Sequence, residues 1–346
     1  MRRSIATIVT AALLSVSGLV PSTVVTSNAA DKPVVIVIDP GHGADNRGAE
    51  YNGLTEKNIN LTVANSMKAE LEKYDNVTVY MTRNADQGLS LEDRAAFAQS
   101  VNADFLFSLH FNASKDHNFY GCEVWTSAFG NQYQKGTDFG KIEIAELGSL
   151  GIYQKGVKTK IGSKGSDYYG VIRACTARNI PGVIIEHAYI DHGYDVQKVK
   201  SQNFYAQLGV KDATAVAKYF KLKSSKTGAD FSGFKYDPTP APAGPVRQDE
   251  TAPDVCDIKV LASSKKDGNV LVQMTTKDNQ SPVAYFAYSY DGGKTFSPFQ
   301  MWDRSKETQS YNVKVPAGYE NPVIVCRAYN IYELGKESNA VPVKDY

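Results

Sequence analysis

The sequence predicts an α/β domain, built on a mixed, mostly parallel sheet with helices on both faces, followed by a C-terminal all-β sandwich domain. Three observations carry this. Short apolar runs, Val34–Ile38, Phe105–Leu109 and Val183–Ile185, read as strands buried on both faces. Segments with apolar residues at helical spacing alternate with them; Ile59, Val63, Met67 and Leu71 recur every fourth residue. Past residue 250 that spacing stops, and short alternating segments separated by turn signals take over.

The chain has 346 residues, enough for two or three domains. Residues 1–29 read as a signal peptide. Arg2 and Arg3 form a basic start, Ile5–Val20 an apolar stretch, and Ser27-Asn28-Ala29 a small-residue cleavage site. Thr7, Thr10, Ser15 and Ser17 disfavour a membrane span there. The expectation is a secreted, extracellular monomer with no membrane span in the mature chain. Loss of Arg2 and Arg3 takes the formal charge from +1 to −1, which excludes a polycation built for nucleic acid.

The first domain spans 33–221. Its opening strand ends at Asp39-Pro40-Gly41, where proline and glycine stop the ladder and His42 follows on the loop. Thr55 caps a helix over 56–74 with Glu56 in its first turn. Val77–Thr82 alternates as a strand, and Ser90-Leu91-Glu92-Asp93 reads as a capping box opening a helix to Val101. Phe105–Leu109 delivers His110. Gly121–Thr126 is a further strand, Ile142–Tyr153 a helix weakened by Gly148 and Gly151, and Val183–Ile185 delivers Glu186. A helix over 203–220 closes the domain.

Residues 222–250 are rich in Ser, Gly and Pro, with PTPAPAGP at 238–245, and read as a semi-rigid spacer. The segment 251–346 contains eleven acidic and eleven basic residues, so it offers no claim on polyanions. Its stretches Tyr288–Phe299 and Arg327–Val341 resemble bacterial immunoglobulin-like or fibronectin-like modules. Trp302 and Tyr290 read as sandwich core in preference to sugar-stacking rings. The four cysteines, Cys122, Cys175, Cys256 and Cys326, lack C-x-x-C spacing, which disfavours a cysteine zinc site and leaves disulfide or free thiol open.

If the strands are parallel neighbours, His42, Glu56, His110 and Glu186 converge at one edge of the sheet, where open α/β sheets place their ligands. Two imidazoles and a carboxylate suit Zn²⁺ and leave a position for water, whose pKa falls to about 7 on the metal. Glu186, at the end of an apolar strand, is the choice for the group that moves the proton. Each residue also has a plainer reading. Glu56 suits a helix N-terminus, His110 a core histidine, and Glu186 an ion pair with Arg173 or Arg178. His187 points opposite to Glu186; His192 and His117 belong to turns.

The segments DPGHG (39–43), GLTEKNINL (53–61), SLEDRAAFAQSVNAD (90–104), FSLHFNA (107–113) and GVIIEHAYID (182–191) together resemble the zinc-dependent N-acetylmuramoyl-L-alanine amidases over residues 33–221. The resemblance implies zinc on His42, Glu56 and His110 and catalysis by Glu186. It implies hydrolysis of the amide between muramic acid and L-alanine of peptidoglycan, in wall remodelling or lysis. Arg94 matches a family position and reads as structural; Asn112 fits as a residue orienting ligand or substrate. Where the family often has Gly-Phe, Ala188-Tyr189 stand, which touches fine specificity. Tyr168, Tyr169, Val171 and Ile172 read as core or groove lining. Two other readings stand beside it: a zinc endo- or carboxypeptidase of wall peptides, which would use the same four residues, and a non-catalytic cell-surface binding protein on this scaffold, in which the C-terminal sandwich would do the work.

Overall fold

Residues Val34–Pro40 form β1, the second strand from one edge of a six-stranded sheet. The computed structural model describes residues 32–344. The stretch read as a signal peptide lies outside the described residues. A hairpin of β2 (Glu50–Tyr51) and β3 (Leu54–Thr55) leads into α1 (Glu56–Leu71). There follow β4 (Val77–Met81), α2 (Leu91–Ser100), β5 (Phe105–Asn112), β6 (Cys122–Thr126), α3 (Gly130–Gly148) and β7 (Gln154–Thr159). The domain closes with α4 (Gly170–Ala177), β8 (Gly182–Tyr189), α5 (Gly193–Val199) and α6 (Gln202–Tyr219).

The sheet order is β4-β1-β5-β8-β6-β7. All pairings are parallel except β6 with β8. Successive strand residues point to opposite faces, so each strand feeds two cores. Ile36, Ile38, Phe105 and Phe107 pack with Val63 and Met67 of α1, Phe139 of α3 and Leu208 of α6. Val37, Leu106 and Ile184 pack with Ala95 and Ala98 of α2 and Ile172 of α4. The expected mixed sheet, covered on both faces, is what the chain forms.

Two local expectations differ, and one strand has no counterpart among them. The helix placed at 142–153 begins at Gly130 and ends at Gly148. Its glycines serve tertiary packing: a Cβ on Gly136 would lie 1.7 Å from Thr126 Oγ1, and one on Gly140 2.8 Å from Val157. They let α3 lie close on β6 and β7. Strand β7 (QKGVKT) has almost no apolar signal, because its inward side chains are lysines. Residues 222–250 do not stand off as a spacer. Leu222, Phe231, Phe234 and Tyr236 pack on the first core, Thr239 N donates to Asp138 Oδ1 at 2.7 Å, and Val246 N donates to Ala128 O at 2.9 Å. Aromatic residues in an extended tract gain by lying against apolar surface.

The C-terminal part is all β. β9 (Val255–Ser264), β10 (Asn269–Lys277) and β13 (Thr308–Lys314) form one antiparallel sheet. β11 (Val283–Ser289), β12 (Gln300–Met301), β14 (Val323–Asn330), β15 (Gly335–Glu337) and β16 (Val341–Pro342) form the other. Trp302 lies in the core between them, with Val272, Phe286 and Ile324, and Tyr290 packs against that core. All four cysteines are free and buried. The two parts share an aromatic core of Phe119, Tyr120 and Tyr189 from the first and Ala284, Tyr285 and Ile331 from the second.

The start of α2 carries the capping box read from the sequence. Asp93 N donates to Ser90 Oγ at 3.1 Å, and the Asp93 carboxylate accepts from Ser90 N at 3.3 Å. Ser90→Ala removes a partner from an orphan amide and lowers stability by about 1 kcal/mol in urea unfolding. An unchanged midpoint would contradict this reading of the cap.

Candidate active site

The site starts from a strained residue. His42, just past β1, has φ +64°, a left-handed conformation that costs energy outside glycine. Two buried guanidinium groups hold it there. Arg94 donates to Pro40 O at 3.0 Å and His42 O at 2.8 Å, and pairs with Asp39 at 2.7 Å. Arg83 donates to Pro40 O at 2.8 Å, Gly41 O at 2.9 Å and Lys57 O at 2.8 Å. Arg94 is therefore structural, as read. Arg83 was missed, because nothing local marks a lone arginine after a strand.

The His42 ring is oriented by Asn46, whose Oδ1 lies 2.9 Å from Nδ1 and also accepts from Gly48 N at 3.3 Å. An oxygen facing Nδ1 favours a ring proton there, so in the neutral ring that a metal ligand requires the lone pair lies on Nε2. Nε2 points at Glu56 Oε1, 3.0 Å away. Glu56 opens α1 and is 4% exposed. Its Oε2 accepts from Ala49 N at 2.8 Å and its Oε1 from Phe111 N at 3.1 Å. His110 Nδ1 meets the same Oε1 at 2.9 Å. Burial pushes the Glu56 carboxyl up, but hydrogen bonds from His110 and His42 outweigh it and hold the group well below the usual carboxylate range. Burial likewise works against the His42 charge, and the Glu56 carboxylate reverses it, leaving that imidazole raised.

Donor atoms of His42, Glu56 and His110 lie within 4.8 Å of one another. Two imidazole nitrogens and one carboxylate oxygen are a donor set that fits Zn²⁺, with a side open to solvent. The orientation of His42 by Asn46, and of Glu56 by two backbone amides, is the outer support such ligands need. Backbone packing completes it. The His110 ring lies so close to Gly41 that a Cβ there would sit 2.2 Å from Cε1.

Glu186 stands beside this cluster. β5 and β8 run past their expected ends, so His110 and Glu186 lie within the strands and pair in register; across β6, Glu186 pairs with Glu123. One row, His110–Glu186–Glu123, thus crosses three strands on the face of α2 and α4. Glu186 is partly exposed, yet its Oε2 is sealed from solvent without a hydrogen-bond partner. Burial first, then the negative charges of Glu56 and Glu123, push its pKa well above the usual carboxyl value. The arginines considered as partners are elsewhere: Arg173 donates to Asp167 O at 2.8 Å, and Arg178 pairs with Glu92 at 2.7 Å.

The other candidates separate. Asn112 donates to Glu123 Oε1 at 3.1 Å. His187 points to the opposite face, against Asp212 at 3.1 Å and His110 O at 3.0 Å. His192 caps α5, and His117 pairs with Asp191 at 2.8 Å near the surface. Val171 lines a cavity of about 220 Å³ beside His42 and His110, together with Leu89, Leu91 and Ser108. Ile172 is core and Tyr168 is exposed.

Comparison with known proteins agrees with this architecture. Residues 36–218 match the family described as N-acetylmuramoyl-L-alanine amidase. The chain belongs to that family. It is 30% identical over 198 residues to N-acetylmuramoyl-L-alanine amidase CwlM of Bacillus licheniformis, covering 56% of this chain and 71% of that protein. It is 28% identical over 205 residues to the sporulation-specific N-acetylmuramoyl-L-alanine amidase of Bacillus subtilis, covering 56% and 71%. Among solved structures, Cwp6 from Clostridium difficile matches with a TM-score of 0.51 at 26% identity, over 55% of this chain and 30% of that one.

The packing of His110 on Gly41 gives a direct test. Gly41→Ala displaces the ring and lowers Zn²⁺ affinity at least tenfold in calorimetric titration, about 1.4 kcal/mol, with the far-ultraviolet spectrum unchanged. Wild-type affinity in that variant would contradict the geometry.

Proposed function

We propose that this protein is a zinc-dependent peptidoglycan hydrolase, secreted to the cell wall, that cleaves the amide joining N-acetylmuramic acid to L-alanine. The observation that carries the reading is the row beside the cluster. A carboxyl with a raised pKa and an unpartnered buried oxygen stands next to two imidazoles that share one ionised carboxylate. His42, Glu56 and His110 would hold the ion. When bound, zinc supplies Lewis-acid polarisation of the scissile carbonyl and a more acidic water.

The chain's own groups do the rest. Glu186 accepts the proton of the attacking water and passes it to the departing nitrogen of L-alanine. Its raised pKa suits a group that must both take and return a proton near neutrality. Asn46 keeps His42 in one tautomer, and Arg83 and Arg94 hold the loop that carries it. The cavity walled by Leu89, Leu91 and Val171 accepts a small apolar substituent next to the scissile bond. Secretion rests on the reading of residues 1–29, and among the described residues no helix is long and apolar enough to cross a membrane.

Two outcomes follow. Glu186→Gln keeps its metal by elemental analysis, while release of new amino termini from purified peptidoglycan falls by about 10²–10⁴. Near-normal turnover would remove Glu186 from its role. Dialysis against a chelator abolishes release, and added Zn²⁺ restores it; activity indifferent to the chelator would contradict the zinc assignment.

A further inference from the structure

The row that carries Glu186 is finished by the second domain. Its last member, Glu123, is 1% exposed. Its Oε1 accepts from Trp125 Nε1 at 2.9 Å and Asn112 Nδ2 at 3.1 Å. Its Oε2 faces Lys155 Nζ at 2.8 Å and Lys158 Nζ at 2.7 Å. Both ammonium groups are buried. Two buried cations against one carboxylate leave a surplus positive charge, which a protein interior tolerates poorly.

The missing negative charge comes from the turn between β14 and β15. Glu333 pairs with Lys155 and accepts from the Tyr189 hydroxyl, while Ile331 O accepts from Lys158 Nζ at 2.9 Å. Tyr332 stands over Lys158 and exchanges hydrogen bonds with the Thr159 backbone at 3.3 Å. The turn is set in advance. Buried Asn330 accepts from Tyr332 N at 3.0 Å and Leu334 N at 3.1 Å, and donates to Asp249, Thr251 and Asp278 at 3.0 Å. Glu333 itself has φ +69°. A left-handed residue at such a tip is maintained only when its surroundings over-determine it.

We propose that Glu333 is a positioning residue of the catalytic site. It balances a buried cluster with Glu123, Lys155 and Lys158 and so fixes the cross-strand neighbour of Glu186, which makes the β-sandwich a working part of the active site. This rests on the reading of Glu186 given above. Without Glu333, the single carboxylate of Glu123 is left to match both Lys158 and Lys155. The carboxylate of Glu123 then shifts toward Lys155, and the wall on which Glu186 rests changes shape.

The test uses the full-length, zinc-loaded chain and a soluble muropeptide as probe. Glu333→Gln lowers kcat about tenfold with KM within twofold, as misplacement of a reacting group does, and Glu333→Asp recovers most of it. Arg304→Ala is the control. It removes hydrogen bonds to Lys155 O at 3.0 Å and the Tyr153 hydroxyl at 3.2 Å but takes no charge from the cluster. Its kcat stays within twofold. Wild-type kcat in Glu333→Gln, or an equal fall in Arg304→Ala, overturns the inference. A wild-type chain with no turnover overturns the parent reading and this one with it; an active wild-type with an indifferent Glu333→Gln overturns this one alone.

Discussion

One oxygen of Glu56 faces two imidazoles, and the end of the sheet that carries the candidate site is arranged around that contact. Glu56 opens α1, His42 follows β1 and His110 lies near the end of β5, so the shared carboxylate joins three elements distant in sequence. A buried carboxylate is costly unless it is matched, and here two backbone amides and two rings match it. The strain at His42 and the closeness of Gly41 to His110 are what that convergence demands of the backbone. The guanidinium groups of Arg83 and Arg94 keep the loop carbonyls satisfied so that the conformation persists.

Much of this was legible in the sequence because it sits at punctuation marks. Asp39-Pro40-Gly41 must end a strand, Thr55-Glu56 must open a helix, and Phe105–Leu109 and Val183–Ile185 must be buried. The four polar residues next to those marks are the ones the structure gathers at one edge. Most of what stayed hidden depends on partners far along the chain. Arg83 bonds carbonyls some forty residues away, and β7 buries lysines where a reader looks for valines; Asn46, only four residues from His42, stayed hidden because it acts through ring orientation alone. The helix at 130–148 was misplaced because it too depends on distant partners: Gly136 and Gly140 weaken its propensity and pay off only where β6 and β7 press against it.

The second domain was read as a separate module on a spacer, and the structure joins it to the first. Tyr285 and Tyr189, both fully buried, lie in one aromatic core drawn from both parts. The segment 222–250 runs along the first domain, held by Phe231, Phe234 and Tyr236 and by the backbone amides of Thr239 and Val246. Interfaces between domains allow motion when they are small and polar. This one is apolar at its centre and has buried charges at its rim, next to the row that carries Glu186. The division of labour is therefore structural: the first domain supplies the donors and Glu186, and the second closes the end of the row.

The central claim is that His42, Glu56 and His110 hold an ion that, with Glu186, directs hydrolysis to a single amide. Mass spectrometry of peptidoglycan fragments digested by the zinc-loaded and the metal-stripped chain tests it most directly. The account predicts intact stem peptides beginning with free L-alanine, together with glycan bearing unsubstituted muramic acid, from the loaded chain alone. Fragments cut within the stem peptide, or the same products from both preparations, would contradict it.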